Sequence, residues 1–234
     1  MATVNYYVNP TTGNDSWDGT SPTFVSGTTG PKEHISAMID ALPDPIVDDV
    51  NINLAGTVGS PAIYLESAGK ISLFGLRFLG AGARLTILPG IWNQLNYVGG
   101  GDPYGGSGSW DPTDGNKPCV IPCVEMDGVN RPINITGVTI GGIYTSSPGM
   151  KIGFGNMLIL NYCAVGTFAI GAYVQGGGLM LVNSAFTRNR IGVLAENNAQ
   201  IFCFGDNYIH DSLRYGFVVR WRSTLSFGVW WLNS

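Results

Sequence analysis

The chain has 234 residues and a formal net charge of −4, with 44% hydrophobic, 11% aromatic and 12% charged residues and 34 glycines. Charged residues are about half as frequent as the usual ~25% and glycines about twice as frequent as the usual ~7%, a composition that excludes intrinsic disorder and is typical of all-β chains with many tight turns. The acidic balance argues against nucleic-acid binding, and the absence of a long apolar run argues against membrane insertion.

The first 45 residues predict a strand, a loop and a helix in that order. Residues 3–8 form a short apolar run, and residues 10–22 are rich in Asn, Asp and Gly, which predicts consecutive turns. The segment from Pro31 to Leu42 predicts a helix, because Pro suits the first helical position and the apolar residues recur on one face. That face contains Ile35, Met38, Ile39 and Leu42.

This opening resembles the start of many right-handed parallel β-helix proteins. The residues that carry the likeness are Tyr6–Pro10, Gly13–Asp15, Trp17–Pro22 and Ile35–Leu42. Such solenoids occur in the pectin-lyase-like superfamily and in bacteriophage tailspikes, and the short form that begins directly at Met is most similar to phage virion proteins. The resemblance implies that the strand, loop and helix plug one end of the solenoid, which would protect exposed strand edges.

From Val50 onward, short runs alternate apolar with polar residues, as half-buried strands do. Strands are predicted at 50–54, 62–65, 71–74, 76–79 and 85–88. Residues 89–132 break this rhythm with many Gly, Pro and Ser residues, and they are interpreted as a long loop inserted into the solenoid. Regular strands resume at Ile133.

An imperfect repeat recurs in the last third of the chain. Ile191-Gly192 is followed 24 residues later by Tyr215-Gly216, and the apolar segments around Leu181, Phe202 and Leu225 are separated by 21 and 23 residues. Repeats of this period indicate a solenoid in which each repeat adds one coil.

The sequence therefore predicts an all-β fold, a single-stranded right-handed parallel β-helix. We expect an N-terminal cap over residues 1–49 and the β-helix over residues 50–234. Asn161 and Asn183 are expected to occupy equivalent turns, where stacked amides bond from coil to coil; an ordinary polar turn is the alternative. Cys163 and Cys203 lie in apolar runs and are expected to be buried and inert.

No metal or cofactor is expected. Cys119 and Cys123 lack a second pair at metal-ligand spacing, and both His residues lie far from them in the sequence. The Asp15-x-x-Asp18-Gly19 segment lacks the full calcium-ligand series, and turn formation is the better account of it.

Four residues are the catalytic candidates if the protein is an enzyme. Glycan hydrolysis needs two carboxylates across the scissile bond, and Glu196, Asp206 and Asp211 are the available acids, with His210 as a proton shuttle. The alternative is that these residues are solvated turn carboxylates without a catalytic role.

Arginines and tryptophans are the candidates for ligand or subunit contacts. Arg190 and Arg214 precede equivalent apolar segments, so their guanidinium groups would lie on adjacent coils and could bind an anionic sugar or a carboxylate; solvent exposure is the alternative. Trp residues are enriched at interfaces. For Trp110, which lies in the long loop, burial under that loop is the alternative. The remaining candidates of this set are Arg220, Arg222, Trp110, Trp221, Trp230 and Trp231.

The low charge indicates that much of the surface is covered by partner subunits, although Asn, Ser, Thr and Gly could also supply a neutral surface. With the resemblance, this favours a structural or receptor-binding virion component, such as a phage tailspike, tail fibre or decoration-type protein. It would form a homo-oligomer, with a trimer favoured, and contact other virion proteins and cell-surface polysaccharide.

Two further functions stay open: a polysaccharide lyase or glycoside hydrolase acting on the side of the β-helix, and a non-catalytic glycan-binding module. The first residues lack the basic start and apolar core of a signal peptide. We therefore expect synthesis in a host cytoplasm and location in a virion.

Overall fold

The computed structural model describes residues 2–57, 61–80, 82–90, 118–141, 148–205, 207–210 and 212–228. In chain order the elements are β1 Thr3–Val8, α1 Ile35–Asp40, β2 Asp49–Leu54, β3 Ala62–Ile63, β4 Lys70–Phe74, β5 Leu85–Pro89, β6 Cys119–Ile121, β7 Cys123–Asp127, β8 Ile133–Thr136, β9 Thr139–Gly141, β10 Pro148–Ile152, β11 Met157–Asn161, β12 Ala164–Gly166, β13 Ile170–Gln175, β14 Gly178–Val182, β15 Ala185–Thr187, β16 Ile191–Glu196, β17 Gln200–Phe204, β18 Tyr208–His210, β19 Tyr215–Val219 and β20 Thr224–Gly228.

These strands form three parallel sheets. Sheet I has the order β1-β2-β5-β8-β11-β14-β17-β20, sheet II the order β3-β6-β9-β12-β15-β18, and sheet III the order β4-β7-β10-β13-β16-β19. From β2 onward every third strand joins the same sheet, so three successive strands make one coil and each coil pairs with the next. The fold is all-β and compatible with a parallel β-helix.

A continuous apolar interior joins the coils. On sheet I the inward column contains Ile133, Leu158, Leu179 and Ile201, which pair in that order and are fully buried. Because successive strand residues point to opposite faces, a second inward column lies two residues further along these strands and contains Ile135, Leu160, Leu181 and Cys203. Burying these Ile and Leu side chains contributes about 1.5–3 kcal/mol each relative to exposure.

The register confirms one repeat distance and corrects two others. Ile191 pairs with Tyr215, as the 24-residue lag predicts. Phe202, however, pairs with Met180 rather than Leu181, and Leu225 pairs with Ile201 rather than Phe202. The predicted lags of 21 and 23 residues are therefore one residue short. The two lags were wrong because these strands carry apolar residues on both faces, which hides the alternation of inward and outward side chains.

The N-terminal strand extends sheet I, and the helix buries one apolar face. β1 pairs with β2 at the edge of sheet I, and Ile35, Met38, Ile39 and Leu42 are buried together, as their spacing predicts. The helix begins at Ile35, four residues after the predicted start at Pro31. The residues between are extended, because the backbone of Lys32 pairs with Tyr7 and Asn9.

The loop before the helix consists of consecutive turns, as its composition predicts. The side-chain oxygens of Asn14 and Asp18 accept hydrogen bonds from the N–H groups two residues ahead. Inside the loop the buried ammonium of Lys32 donates to the carbonyl oxygens of Asp15, at 2.8 Å, and Trp17, at 2.6 Å. The ammonium group of Lys32 therefore supplies the hydrogen-bond donors for two backbone carbonyl groups that face the inside of the loop.

Two further sequence predictions differ from the structure. Residues 76–79 form no strand; Phe78 makes only an isolated bridge with Ile46. The predicted insertion at 89–132 falls largely on residues 91–117, which lie outside the described residues, but its C-terminal part contains β6 and β7. Two strands of the repeating coil thus lie in a range that the Gly-rich composition assigned to a loop.

Asn161 and Asn183 are not equivalent. Asn161 pairs with Val182, and Asn183 follows one position later with a left-handed backbone, φ 48°. The side chains that bond between coils include Asn156, Asn189 and Asn207. The amide oxygen of each accepts a backbone N–H of the preceding coil, from Val129, Phe168 and Ser184 respectively.

Candidate functional site

The outer face of sheet I is polar toward β1 and apolar toward β17. One outward column runs Thr86, Asn134, Ile159, Met180 and Phe202 in paired order. We call Met157, Ile159, Met180, Val182 and Phe202 the apolar strip; each is half-buried on the outside of the sheet.

The strands that carry the apolar strip, and the two strands that flank them, contain no charged residues. None of the five strands β8, β11, β14, β17 and β20 contains a charged residue. Charged residues are normally excluded from the buried centre of an interface and abundant on a free surface. This face therefore has the composition of a contact surface rather than of a solvated one.

A hollow of about 520 Å³ lies where the polar half of sheet I meets the apolar strip. Its lining includes Arg84, Arg131, Asn134 and Ile159. Arg84 pairs with Asp49 at 3.1 Å, so one of the two guanidinium groups in this hollow is already neutralised.

The outer face of sheet III has the opposite character. We call the following side chains on its outer face the polar strip: Lys70, Glu125, Asp127, Lys151, Tyr173, Gln175, Glu196 and Arg220. Lys70 Nζ lies 2.8 Å from Glu125 Oε2. Opposite charges thus alternate along this face, in contrast to the charge-free strands β8, β11, β14, β17 and β20 of sheet I.

Glu196, one of the four catalytic candidates, lies at the end of the polar strip and is only 7% exposed. Its Oε2 accepts a hydrogen bond of 3.1 Å from the Tyr173 hydroxyl, and its Oε1 lies 3.5 Å from Arg220 Nη1. Burial, together with the bond to Glu196, raises the pKa of Tyr173, so this hydroxyl is a donor at neutral pH. The carboxylate of Glu196 is therefore held in place by one hydrogen bond and one ion pair.

Of the other catalytic candidates, the structure describes only the backbone of His210. The backbone of His210 belongs to β18 in sheet II, whereas Glu196 ends β16 in sheet III. Asp206, Asp211 and the side chain of His210 lie outside the described residues, so the catalytic assignment stays a prediction.

The predicted arginine pair is adjacent in the backbone. Arg214 N–H donates to the Arg190 carbonyl oxygen at 3.0 Å, and both residues are exposed. Trp221 and Arg222 are exposed in the left-handed turn between β19 and β20, and Arg220 contacts Glu196. Trp110, Trp230 and Trp231 lie outside the described residues.

A pocket of about 170 Å³ on the polar strip contains candidate side chains that the sequence did not reveal. It is lined by Phe74, Glu125, Met126, Asp127, Lys151, Gly153, Phe154 and Gln175. Glu125 and Asp127 were missed because β7 falls in the range interpreted as a loop. The alternation Val124-Glu125-Met126-Asp127 was the signal that could have identified this strand.

The four cysteines are buried, as expected for Cys163 and Cys203. Burial raises the pKa of Cys119 to about 12 and that of Cys203 to about 11. Both thiols are therefore protonated at neutral pH and are poor nucleophiles.

Within the described ranges no three His, Cys, Asp or Glu side chains are grouped to hold a metal ion, and no helix there is long and apolar enough to cross a membrane. No protein-family model, no curated protein and no solved structure matches the chain.

Proposed function

We propose that the protein is a rigid, non-enzymatic structural component of a virion, of the tailspike, tail fibre or decoration type. In this proposal the coils form a right-handed parallel β-helix with an N-terminal cap, and the apolar strip packs against further copies of the same chain, with a trimer favoured. The observation that carries the proposal is the apolar strip on the outer face of sheet I, together with the lack of charged residues in β8, β11, β14, β17 and β20.

The composition of the strip favours a second copy of the chain as its occupant. Interfaces between identical subunits are more apolar than those between transient partners. Neighbouring strands lie about 4.8 Å apart, so the strip extends over three strands as a flat, regular surface. A surface of this kind can meet its own copies around a closed rotation axis.

The cap is supported by the positions of α1 and β1. The strand occupies the edge of sheet I, and the buried face of the helix joins the same apolar cluster as the coils. The loop covers part of the free edge of β1, because Tyr7 N–H donates to the Gly19 carbonyl oxygen and the Tyr7 carbonyl oxygen accepts Lys32 N–H. An edge strand that is covered in this way is protected from pairing with other chains. The virion assignment is supported by the resemblance of residues Tyr6–Pro10 and Trp17–Pro22 to the opening of phage β-helix proteins.

The oligomeric state tests the proposal. The purified chain is expected to elute as an oligomer, with its mass determined by light scattering, and Met180→Lys is expected to elute as a monomer with an unchanged circular dichroism spectrum. A Lys at this position would leave an unpaired charge in an apolar interface.

Thr86→Lys is the matched control, because Thr86 lies in the same outward column, three strands away in the polar half of sheet I. It should leave the oligomer intact. A wild-type chain that is monomeric at every concentration tested, or a Met180→Lys variant that remains oligomeric, would contradict the proposal.

A further inference from the structure

The pocket on the polar strip is opened by a glycine. Gly153 follows Ile152, which pairs with Met126 in β7 and with Val174 in β13, so Gly153 lies between Asp127 and Gln175. A Cβ atom at Gly153 would lie 2.6 Å from Asp127 Oδ1. Because Gly153 carries no side chain, the Asp127 carboxylate can lean over the floor of the pocket.

Two phenylalanines flank this floor. Phe74 is 52% exposed and Phe154 is 62% exposed, although large apolar side chains normally seek burial. The ring of Phe154 packs over Gly176, where any added Cβ would collide with it. The ring of Phe154 thus rests against the backbone at Gly176 and stays largely exposed, so that it offers an apolar contact surface.

The two carboxylates of the pocket are held by hydrogen bonds, and its charges are balanced. Glu125 is paired with Lys70, and Asp127 Oδ1 accepts hydrogen bonds from Gly128 N–H, at 2.9 Å, and Asn156 Nδ2, at 3.3 Å. Two carboxylates and the two ammonium groups of Lys70 and Lys151 sum to zero formal charge. The pocket therefore offers hydrogen-bond donors and acceptors without a net attraction for an ion.

This combination selects a class of ligand. A sugar ring has an apolar C–H face that packs on an aromatic ring and hydroxyl groups around its edge that bond to carboxylates and amides. A volume of about 170 Å³ is below the ~300–1,000 Å³ of pockets for larger ligands, so it suits one ring. We propose that the pocket between Phe74 and Phe154 binds one unit of a neutral saccharide chain.

The rest of the polar strip provides room for neighbouring units. Tyr173 and Gln175 lie on β13, and Glu196 and Arg220 follow on the next coils. Four strand spacings separate β7 from β19, roughly 19 Å at 4.8 Å each. A chain of sugars lying along the solenoid would therefore meet polar side chains beyond the pocket. This site lies on sheet III and does not depend on the proposed contact of sheet I.

Direct binding of labelled oligosaccharides to the full chain tests the inference. The probes are trimers and hexamers of neutral glucans, galactans, mannans and N-acetylglucosamine, with oligogalacturonate and chitosan oligomers as anionic and cationic comparisons. We expect saturable binding of at least one neutral probe. Phe154→Ala, which removes the aromatic surface, and Gly153→Leu, which fills the floor, should each raise Kd at least tenfold.

Phe24→Ala is the control, because Phe24 is 55% exposed in the N-terminal loop and lies outside the pocket; it should leave Kd unchanged. Circular dichroism and light scattering of each variant separate loss of binding from loss of fold or assembly. Binding of none of the neutral probes, binding of charged probes alone, or an unchanged Kd in Phe154→Ala would each overturn the inference. A monomeric chain that binds the sugar would contradict only the proposed assembly.

Discussion

Nδ1 of His34 lies 2.7 Å from Oδ2 of Asp15, and this pair joins the N-terminal loop to the start of α1. Asp15 Oδ1 also accepts the backbone N–H groups of Glu33 and His34. Glu66 accepts the next two N–H groups, those of Ile35 and Ser36. Two carboxylates thus satisfy the N–H groups at the beginning of the helix, a task that a capping side chain usually performs.

The stability of this region should depend on pH. The hydrogen bond to Asp15 raises the pKa of His34 against the opposing effect of burial. Burial acts to raise the pKa of Asp15, but hydrogen bonds from the backbone and ring of His34 lower it overall. The contribution of His34 to the free energy of unfolding is complete below its unfolded pKa of about 6.5 and is lost as pH rises through its folded pKa. The contribution of Asp15 is complete above its unfolded pKa of about 3.9 and is lost as pH falls through its folded pKa.

Scanning calorimetry of His34→Gln measures this dependence. The wild type should exceed the variant in Tm by more at about pH 5 than at about pH 9, because protonated His34 is stabilised by Asp15 only at the lower value. In an Asp15→Asn background the same substitution should show little dependence on pH. An equal Tm difference at both pH values would contradict the assigned role of the pair.

Asn189 should contribute strongly to stability through bonds between coils. It is fully buried, its amide oxygen accepts Phe168 N–H at 3.0 Å, and its amide nitrogen donates to the Val165 carbonyl oxygen at 3.1 Å. Asn189→Ala removes both bonds and leaves the buried Phe168 N–H without its amide acceptor, which costs about 1–3 kcal/mol. Urea denaturation should show a loss of about 2 kcal/mol or more in the free energy of unfolding.

Asn134→Ala serves as the comparison for this variant. Asn134 is half-buried on the outer face of sheet I, and a substitution there should change the free energy of unfolding by no more than about 0.5 kcal/mol. Equal losses in the two variants would show that the buried amide of Asn189 has no special part in joining the coils.

Lys32→Met should destabilise the N-terminal loop. Met has a similar length but cannot donate, so the carbonyl oxygens of Asp15 and Trp17 would lose the ammonium that they share. We expect a loss of about 1–3 kcal/mol in the free energy of unfolding and faster proteolytic cleavage within residues 13–22. Lys151→Met, at an exposed position, should change neither quantity; cleavage of the Lys32→Met loop at the wild-type rate would refute the assignment.

The sequence predicts those features that depend on local periodicity. The one-sided spacing of Ile35, Met38, Ile39 and Leu42 identifies the buried helix face, and the recurrence of Ile191-Gly192 at Tyr215-Gly216 identifies the register of two coils. Parallel sheets follow from such repeats because each unit can bury its apolar residues only against the next.

The sequence could not reveal features that depend on contacts between distant residues. Apolar Phe202 on an outer face hides the two-residue period, so the register there was one residue out. Glu66 replaces a local capping residue from 30 positions away, which allows the helix to begin at Ile35. Glu125 and Asp127 come together with Phe154 only because coil packing places β7 beside β10.

The most direct measurement of the central claim is electron cryo-microscopy of the purified assembly. The account predicts a closed oligomer in which Met180 and Phe202 are buried against neighbouring copies of the chain, while the pocket on sheet III remains open to solvent. Single-chain particles, or an oligomer in which sheet I faces solvent and another face makes the contact, would contradict it.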